Sequence, residues 1–505
     1  MTIRPFKILF WTLVALAMLL IAGITLTPNL EITSWSMLLN AISGAPGPQA
    51  SAESTGRQLE APAGFALSLY AGDVPKARFM RLTSAGDLLV SQPRLGQILL
   101  LARDADGDGH PDRQQVLIDG LDRPQGMDIA DGWLYIAESG ALGRIAFDSA
   151  TGRTSGEYRQ VLGGLPEGGN HWGRTVRVGP DGWLYLSIGS SCNACVEEHR
   201  WRAAMLRLRP DGSQVQIHAS GLRNSVGFDW APWNGELYAT DNGRDLLGDD
   251  FPPCELNRIV AGGFYGWPYI NGFAKLDPDN GGGREILLAT ALSPAHGFRA
   301  HTAPLGISFL RSPSRAPRFQ RAALVALHGS WNRSVPDGYK VVLLSWDEQG
   351  MISESDFLSG FERDGQVIGR PVDVVEATDG SIFVSDDYAG AIYRLVPGQD
   401  ANSTLPMSPA PSTVAARPDP LAGIDARQRA AAHSSGSALM TRYACIGCHS
   451  AGTVPGDKLQ TLAERYTLAE LADYFLLPTA PMPIFALNAA ERRDLAIHLL
   501  DNPEN

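Results

Sequence analysis

The chain has 505 residues, of which 44% are hydrophobic and 19% charged, and its formal net charge is −12. This length accommodates several domains, and 54 Gly and 34 Pro are typical of a turn-rich protein rather than a helical one. The negative charge argues against nucleic acid as a partner, because phosphate binding needs a basic surface.

The N-terminus carries two cations followed by an uncharged stretch. Arg4 and Lys7 precede residues 8–26, which as a helix would span roughly 28 Å, close to the ~30 Å hydrocarbon core of a bilayer. The leading cations predict export of the remaining chain to the periplasmic side of a bacterial inner membrane. We therefore expect residues 1–27 to be a transmembrane anchor. A cleaved signal peptide, which would leave a soluble periplasmic protein, is the alternative.

After a tether at residues 28–57, residues 58–398 repeat a turn followed by a short apolar strand. The repeats are DGWLYIA from Asp131, DGWLYLS from Asp181, NGELYAT from Asn234 and DGSIFVS from Asp379, with a variant at Gly86. Asp-Gly or Asn-Gly before alternating apolar residues is a hairpin signal. Recurrence at about 45–60 residues, with one longer gap, predicts a mainly β protein, a six-bladed β-propeller. A β-sandwich is the alternative.

One loop early in this segment has the spacing of a calcium site. Asp104, Asp106, Asp108 and Asp112 occupy positions 1, 3, 5 and 9 of a loop with Gly at position 6. This spacing wraps oxygen ligands around one calcium ion. Because position 12 is Gln115 and no helix flanks the loop, we expect a structural calcium loop between strands. A solvated acidic turn is the alternative.

Three cysteines lie within the predicted propeller. Cys192 and Cys195 form a C-x-x-C pattern followed by Val196, which excludes a haem site there. In an oxidising compartment a local disulfide between them is expected. Cys254 is then left over, and its pairing with one of those two is the alternative.

A Pro- and Ala-rich linker is predicted at residues 399–432, followed by a small all-α domain at residues 433–505. Cys445, Cys448 and His449 form the C-x-x-C-H pattern of covalent haem c attachment.

The two thiols would hold the porphyrin and His449 would ligate the iron. Met482, between two prolines, is the expected second axial ligand, and a His/Met pair favours electron transfer. His433 and His498 are rival ligands. The segment resembles class I cytochrome c over its full length.

Polar clusters occur where the predicted blades end, at residues 123–126, 170–174, 221–224, 240–245, 328–333 and 369–374. Several place Arg or His beside Gly or Asn. Together they would surround one mouth with cations, which suits a polyanionic ligand.

Residues 61–397 resemble the glucose/sorbosone dehydrogenase family, in particular its L-sorbosone dehydrogenase branch. The motifs that carry this resemblance are SGLRNSVGFDW, ATDNGRDLLGDD, GGFYGWPY, ALHGSWNRS and GRPVDV. The family consists of six-bladed propellers that bind pyrroloquinoline quinone (PQQ) and calcium. The resemblance therefore implies a PQQ-dependent sugar dehydrogenase.

The resemblance also assigns roles to the residues of the reaction centre. His171 matches the general base that takes the hydroxyl proton of the substrate. Arg223 and Asn224 match the pair that lies against the quinone, where Arg223 would polarise the accepting carbonyl.

Further roles concern cofactor and metal binding. Arg333 and Arg370 match partners of the PQQ carboxylates, and Gln125 matches a glutamine near the cofactor. Gly243 and Arg244 match the positions whose backbone carbonyls bind the active-site calcium.

These observations predict a membrane-anchored quinohaemoprotein. PQQ in the propeller would oxidise an aldose or sorbosone-like sugar, and electrons would leave through haem c to a respiratory acceptor, a cytochrome or a quinone. A calcium-dependent, lactonase-like hydrolase and a non-enzymatic haem redox module are the alternatives.

Overall fold

The computed structural model describes residues 47–312, 319–398, 420–443, 445, 462, 466–475 and 487–501. The chain divides into two compact units, Met1–Pro406 and Met407–Asn505, and each is described by itself. Among the described residues, no helix is long and apolar enough to cross a membrane. The anchor predicted at residues 1–27 lies outside the described residues.

The first unit is built from four-stranded antiparallel sheets, which we call blades 1 to 6. The first three blades are β2 (Met80–Leu82), β3 (Leu88–Gln92), β4 (Gln97–Leu101) and β5 (Gln114–Ile118); β6 (Met127–Ala130), β7 (Trp133–Ala137), β8 (Ala141–Asp148) and β9 (Arg153–Gly163); and β10 (Arg174–Val178), β11 (Leu184–Ile188), β12 (Ala204–Leu208) and β13 (Gln216–Ser220).

The last three blades follow the same plan, and the sixth takes one strand from the start of the chain. They are β14 (Ser225–Trp230), β15 (Leu237–Asp241), β16 (Cys254–Ile259) and β20 (His296–Phe298); β21 (Pro304–Phe309), β22 (Ala322–Leu327), β23 (Lys340–Trp346) and β24 (Ile352–Leu358); and β27 (Pro371–Glu376), β28 (Ile382–Asp386), β29 (Ala391–Pro397) and β1 (Phe65–Ala71).

Short elements complete the unit. They are the strands β17 (Gly263–Phe264), β18 (Ile270–Asn271), β19 (Lys275–Leu276), β25 (Glu362–Arg363) and β26 (Gln366–Val367), and a 3-10 helix, Glu285–Ala289. β17 extends blade 3 by pairing parallel to β13.

This architecture confirms the predicted six-bladed β-propeller. The repeated motif forms the turn before the second strand of a blade and that strand itself, as at β7 and β11. Gly132 and Gly182 in these turns have φ of +76° and +72°, which favours glycine. Leu134, Ile136, Leu184 and Leu186, which follow these turns, are fully buried.

The ring of blades closes through the pairing of β1 with β29. The register runs from Phe65 opposite Pro397 to Ala71 opposite Ile392. Residues before this strand were predicted to be a tether, but Ala52–Gln58 form a helix, α1. The reason is a capping box, in which the side chains of Ser51 and Ser54 each accept a hydrogen bond from the other residue's backbone N–H.

Alternating charges lie on the first strands of the blades, or just after that strand in blade 5, and we call them the inner-strand network. Its members, one from each blade in order, are Arg81, Asp128, Arg177, Asp229, Arg311 and Asp373. Five ion pairs link them: Asp373 to Arg81 at 3.9 Å, Arg81 to Asp128 at 3.4 Å, Asp128 to Arg177 at 3.4 Å, Arg177 to Asp229 at 3.3 Å and Asp229 to Arg311 at 2.9 Å.

The acids of this network also accept backbone hydrogen bonds from the next blade. Met80 N–H donates to Asp373, Val178 N–H to Asp128 and Phe309 N–H to Asp229, at 2.8, 2.8 and 2.9 Å. Each carboxylate therefore accepts a hydrogen bond from a backbone N–H on the inner strand of the next blade, where no further strand can pair.

The second unit contains the helices α2 (Ala426–Arg442), α3 (Leu468–Tyr474) and α4 (Ala489–Leu500). α2 begins inside residues 399–432, which were predicted to be linker. Asp425 explains the difference, because it forms a capping box with Gln428. Composition alone did not reveal this helix start.

α2 packs against α4 at a close crossing. A Cβ added to Gly436 would lie 2.3 Å from the Cβ of His498, so only glycine fits there. Beside it, Nδ1 of His433 lies 3.0 Å from Nδ1 of His498, and Nε2 of His433 lies 3.1 Å from Asp501. Both rival axial ligands are thus engaged with each other in the helix contact.

We expect Asp229→Asn to destabilise the propeller by about 3–5 kcal/mol, because it removes the buried negative charge that pairs with Arg177 and Arg311. Burial disfavours the charged carboxylate, but Arg177 and Arg311 outweigh it and hold the pKa of Asp229 below its usual value. Denaturant unfolding of the full chain measures the change. The control is Asp119→Asn, at an exposed position. Equal unfolding midpoints for the two variants would contradict the assignment.

Candidate functional site

A cavity of about 350 Å³ opens at the end of the propeller where the blade-to-blade connections lie. Four residues predicted for the cofactor site line it: Gln125, His171, Asn224 and Arg370. The first three precede β6, β10 and β14, and Arg370 precedes β27. Each therefore leads into the first strand of a blade, which brings residues far apart in sequence to one mouth.

Other lining residues were not singled out from the sequence. They are Lys76, Arg78, Arg94, Trp172, His328, Asp387 and Tyr388. His328 and Trp172 belong to clusters that the sequence did flag at blade ends. Lys76, Arg78 and Arg94 had no flanking motif that could have identified them.

His171 is held so that one ring nitrogen can face the cavity. Its Nδ1 lies 3.0 Å from the carbonyl oxygen of Ser190 and 2.9 Å from its hydroxyl. Because a carbonyl oxygen only accepts, Nδ1 carries the hydrogen and Nε2 is left as the proton acceptor. The backbone has φ +49°, and Arg174 donates to the His171 carbonyl at 2.6 Å.

The environment keeps this imidazole neutral. Burial, aided by the charge of Arg223, lowers the pKa of His171 to about 3. At physiological pH the ring is therefore neutral, and with Nδ1–H fixed the lone pair of Nε2 is available as an acceptor.

The cavity wall carries an excess of positive charge. Arg370 donates to the backbone carbonyls of His328 and Gly329 at 3.0 and 2.8 Å, which leave its charge uncompensated. Arg78 forms an ion pair with Asp387 at 2.8 Å. With Lys76 and Arg94, four cations face one carboxylate, an arrangement that suits a polyanionic ligand.

A second histidine of the wall pairs with that carboxylate. Nε2 of His328 lies 2.9 Å from Asp387. Burial, aided by Arg370, lowers the pKa of His328 to about 4, so this ring is also neutral.

Arg223 and Arg333 are not among the described residues that line this cavity, and their predicted contacts with the cofactor stay predictions. Arg223 donates to Asn193, to the Asn242 carbonyl and to Asp245 at 2.9–3.1 Å. Arg333 is buried and donates to the Ala300 carbonyl and to Asp250. The acids of the loop at residues 245–250 bind both guanidinium groups, and such pairing depends on tertiary packing.

A smaller cavity of about 20 Å³ contains Gly243 and Arg244, the residues predicted to bind calcium through their carbonyls. The guanidinium of Arg244 is bound to Asp277 at 2.6 Å and to Asp279 at 2.8 Å. Only the backbone of Arg244 is therefore available to a metal.

Two carboxylates that the sequence did not single out share this small cavity. Asp241 and Glu255 face each other in the β15–β16 register. Burial raises the pKa of Asp241 well above its usual value, and burial together with the charge of Asp241 does the same for the pKa of Glu255. Two buried acids beside two backbone carbonyls form a set of hard oxygen donors, which fits calcium. Asp241, Gly243, Arg244 and Glu255 are the residues that would hold it.

The loop predicted to bind calcium brings its acids together. Carboxylate oxygens of Asp104, Asp106 and Asp108 lie within 4.8 Å of one another. Asp112 accepts from the N–H of Ala105 at 3.1 Å. Asp104 also forms an ion pair with Arg394 at 2.9 Å, which offsets part of its charge. The calcium assignment of this loop stays a prediction.

Cys192 and Cys195 are joined by a disulfide, and Cys254 is buried outside it. In the second unit Cys445 is partly buried. Cys448, His449 and Met482 lie outside the described residues.

Two solved structures from fungi share the fold of the first unit. The holo PQQ domain of pyranose dehydrogenase from Coprinopsis cinerea matches with a TM-score of 0.59 and 22% identity, over 69% of this chain and 98% of that chain. A calcium structure of a Trichoderma reesei carbohydrate-active enzyme of family AA12 matches with a TM-score of 0.60 and 21% identity, over 68% and 97%. At these identities the likeness shows the fold.

Residues 137–394, about half of the chain, match the family described as glucose/sorbosone dehydrogenase. The chain belongs to this family. Its membership confirms the predicted family.

Two curated relatives match part of the chain. An uncharacterized protein of Borreliella burgdorferi is 36% identical over 244 residues, 47% of this chain and 64% of that protein. The PQQ-dependent pyranose dehydrogenase of Coprinopsis cinerea is 26% identical over 432 residues, 69% of this chain and 55% of that enzyme. The chain thus spans less than two thirds of the length of these relatives.

We expect calcium to stabilise the full chain more strongly at pH 8 than at pH 6. The folded pKa values of Asp241 and Glu255 are raised above those of the unfolded chain, so their contribution to stability is present at low pH and is lost as pH rises through the raised folded values. Calcium bound to the ionised pair reverses that loss, by ~3 kcal/mol at a hundredfold excess over Kd.

Thermal unfolding with and without calcium measures this effect. The double variant Asp241→Asn/Glu255→Gln should lose it, whereas Asp106→Asn/Asp108→Asn, in the other loop, should keep it. A calcium response with the same size at both pH values in all three proteins would show that the buried pair is not the site.

Proposed function

We propose that this chain is a PQQ-dependent dehydrogenase of the L-sorbosone branch, which oxidises an aldose or related sugar and passes the electrons through haem c to a respiratory acceptor. The observation that carries the proposal is one cavity that joins a neutral, oriented His171 to four cations. The pyranose dehydrogenase to which the chain is similar is named as PQQ-dependent.

The residues of the cavity fit PQQ, a planar tricarboxylate. Arg370, Arg78, Lys76 and Arg94 would hold its carboxylates, since their combined charge exceeds that of Asp387. When bound, PQQ supplies an acceptor for a hydride, that is, for two electrons and a proton.

The chain's own contribution is proton transfer and positioning. Nε2 of His171 accepts the proton of the sugar hydroxyl while the C–H hydrogen leaves with its electron pair, and the substrate carbon becomes a carbonyl. The Ser190 carbonyl holds Nδ1–H, which fixes the ring and stabilises the imidazolium that forms. Asn224 and Gln125 supply side-chain amides on the same wall to orient polar ligand groups.

The proposed active-site calcium would lie at Asp241, Gly243, Arg244 and Glu255. This set is linked to the large cavity by Asn224, whose N–H donates to Asp241 at 2.5 Å and which also lines that cavity. A cation there would neutralise the acid pair and fix the loop that carries Asn224.

The proposed haem domain comprises residues 433–505, with Cys445 and Cys448 as attachment sites and His449 and Met482 as axial ligands. Two described features support it. The helix α2 leads to Cys445, and α2 crosses α4 at Gly436 without room for a side chain. Such a crossing fixes the two helices that would flank the haem segment in sequence.

The remaining architecture follows the same proposal. Residues 1–27 would anchor the protein in the inner membrane with residues 28–57 as a tether, and residues 399–432 would connect a propeller at residues 58–398 to the haem domain. The enzyme would then act on the periplasmic side, close to membrane-bound electron acceptors.

We expect His171→Gln to lower kcat by a factor of about 10²–10⁴ while leaving the Kd for PQQ within threefold. Arg370→Ala should instead weaken PQQ binding at least tenfold, because charge-assisted hydrogen bonds contribute about 1.5–3 kcal/mol each. Quenching of protein fluorescence on titration with PQQ gives Kd, with exposed Arg153→Ala as the matched control.

The pH profile adds an independent check on the base. Because the pKa of His171 is lowered to about 3, kcat/KM should not decline as pH falls through 6.5. An acid limb centred near 6.5, or turnover of lactones without PQQ, would argue for a different chemistry.

For the haem, we expect sugar to reduce the haem in stopped-flow experiments with protein loaded with PQQ and calcium. Met482→Ala should slow electron exit to an external acceptor at least tenfold and leave PQQ binding unchanged, because the axial thioether favours electron transfer. Met351→Ala, at an exposed position of the propeller, is the control. Sugar oxidation at full rate without haem reduction would refute the relay.

A further inference from the structure

The Cys192–Cys195 disulfide closes a four-residue ring beside the large cavity. Residues on both sides of the ring contact groups of the site. Ser190, two residues before Cys192, accepts a hydrogen bond from Nδ1 of His171. The Ser190 hydroxyl donates to the carbonyl of Cys192 inside the ring at 2.8 Å. One hydrogen bond therefore connects the ring to Ser190, which orients the proposed base, His171.

Asn193, inside the ring, contacts the other side of the site. Its carbonyl and side-chain oxygens each accept from Arg223 at 2.9 Å. Its amide nitrogen donates to the Asp245 carbonyl at 3.0 Å, and its Oδ1 accepts from the Asp245 N–H at 2.8 Å. One side chain thus joins Arg223 to the loop that follows the proposed calcium-binding residues.

Two further hydrogen bonds fasten the segment to its neighbours. Ser190 N–H donates to the Arg223 carbonyl at 2.8 Å, and Asn170 N–H donates to the Ser191 carbonyl at 2.7 Å. The ring therefore lies between the segment that carries His171 and the segment that carries Arg223 and Asn224. Both cysteines are partly exposed, so a reductant can reach them.

We propose that the Cys192–Cys195 ring is a redox-sensitive positioning device, in which the disulfide holds Asn193 so that it fixes both walls of the active cavity. The positioning residue is Asn193, which touches neither substrate nor cofactor. Breaking the disulfide with a dithiol supplies two electrons and two protons: the S–S bond becomes two thiols, and the dithiol becomes its own disulfide. The functional consequence rests on the proposed function.

Hydrogen exchange measured by mass spectrometry on the full chain tests the positioning role without any cofactor. In Cys192→Ser/Cys195→Ser we expect amides of residues 168–173 and 242–250 to exchange at least tenfold faster, and those of β27 to β29 to be unchanged. Asn193→Ala should reproduce the increase at Asp245 with the disulfide intact. Asn193→Asp, which keeps the acceptor for Arg223 and the Asp245 N–H, should largely restore wild-type exchange.

Titration with PQQ then measures the consequence for the cavity. The double serine variant should bind PQQ at least tenfold more weakly. Wild-type protein that has been reduced, alkylated and desalted should behave like the double variant, and the same treatment of the double variant should change nothing.

Exchange that increases only within residues 190–197 would overturn the proposal, as would faster exchange on both walls with an unchanged Kd for PQQ. If wild-type protein fails to bind PQQ, the proposed function fails, and the exchange results alone then decide the positioning role.

Discussion

The alternation of acid and base on the inner strands is the constraint on which the rest of the propeller depends. The first strand of each blade has one edge that faces the propeller axis, where no further strand can pair. Asp128, Asp229 and Asp373 resolve this on alternate blades, since each carboxylate accepts a backbone N–H of the next blade. Arg81, Arg177 and Arg311 neutralise the acids, so burying them is tolerable.

This network links the first strands of neighbouring blades, and several functional residues lie close to those strands in sequence. Gln125, His171, Asn224 and Arg370 each lie directly before a first strand. Fixing the first strand of a blade therefore also fixes the position of the cavity residue that precedes it in sequence. Preorganised positions of this kind avoid reorganisation when a ligand binds, which is how enzymes use fold stability for catalysis.

The two cavities of the site carry opposite charge. The wall of the large cavity is rich in cations, whereas the smaller cavity contains two buried acids. A polyanion in the first and a divalent cation in the second would each neutralise an existing excess. Asn224 connects them, because it lines the large cavity and its N–H donates a hydrogen bond to Asp241 of the smaller one.

Much of the fold followed from local sequence. Asp-Gly and Asn-Gly turns before alternating apolar residues identified the second strand of several blades, because turn chemistry and strand period are local properties. Resemblance to a family placed His171, Asn224, Gln125 and Arg370 together, and the structure brings all four to one cavity.

What could not be predicted depends on which residues meet in three dimensions. Arg223 and Arg333, which the family resemblance assigns to the cofactor, form ion pairs with Asp245 and Asp250, and only packing decides such partners. Asp241 and Glu255 meet through strand register, which no motif encodes. The helices α1 and α2 begin at capping boxes within segments whose composition had suggested extended chain.

The pairing of β1 with β29 has a consequence for biogenesis. Blade 6 takes one strand from the start of the propeller and three from its end, so the ring remains open until the chain has been synthesised as far as Pro397. The cavity spans the same seam, because Lys76 and Arg78 follow β1 whereas Arg370 and Asp387 belong to the last blade. A ligand that bridges these residues would link the start of the propeller to its last blade and oppose separation of β1 from β29. Maturation and resistance to proteolysis would then be coupled to ligand binding at the site.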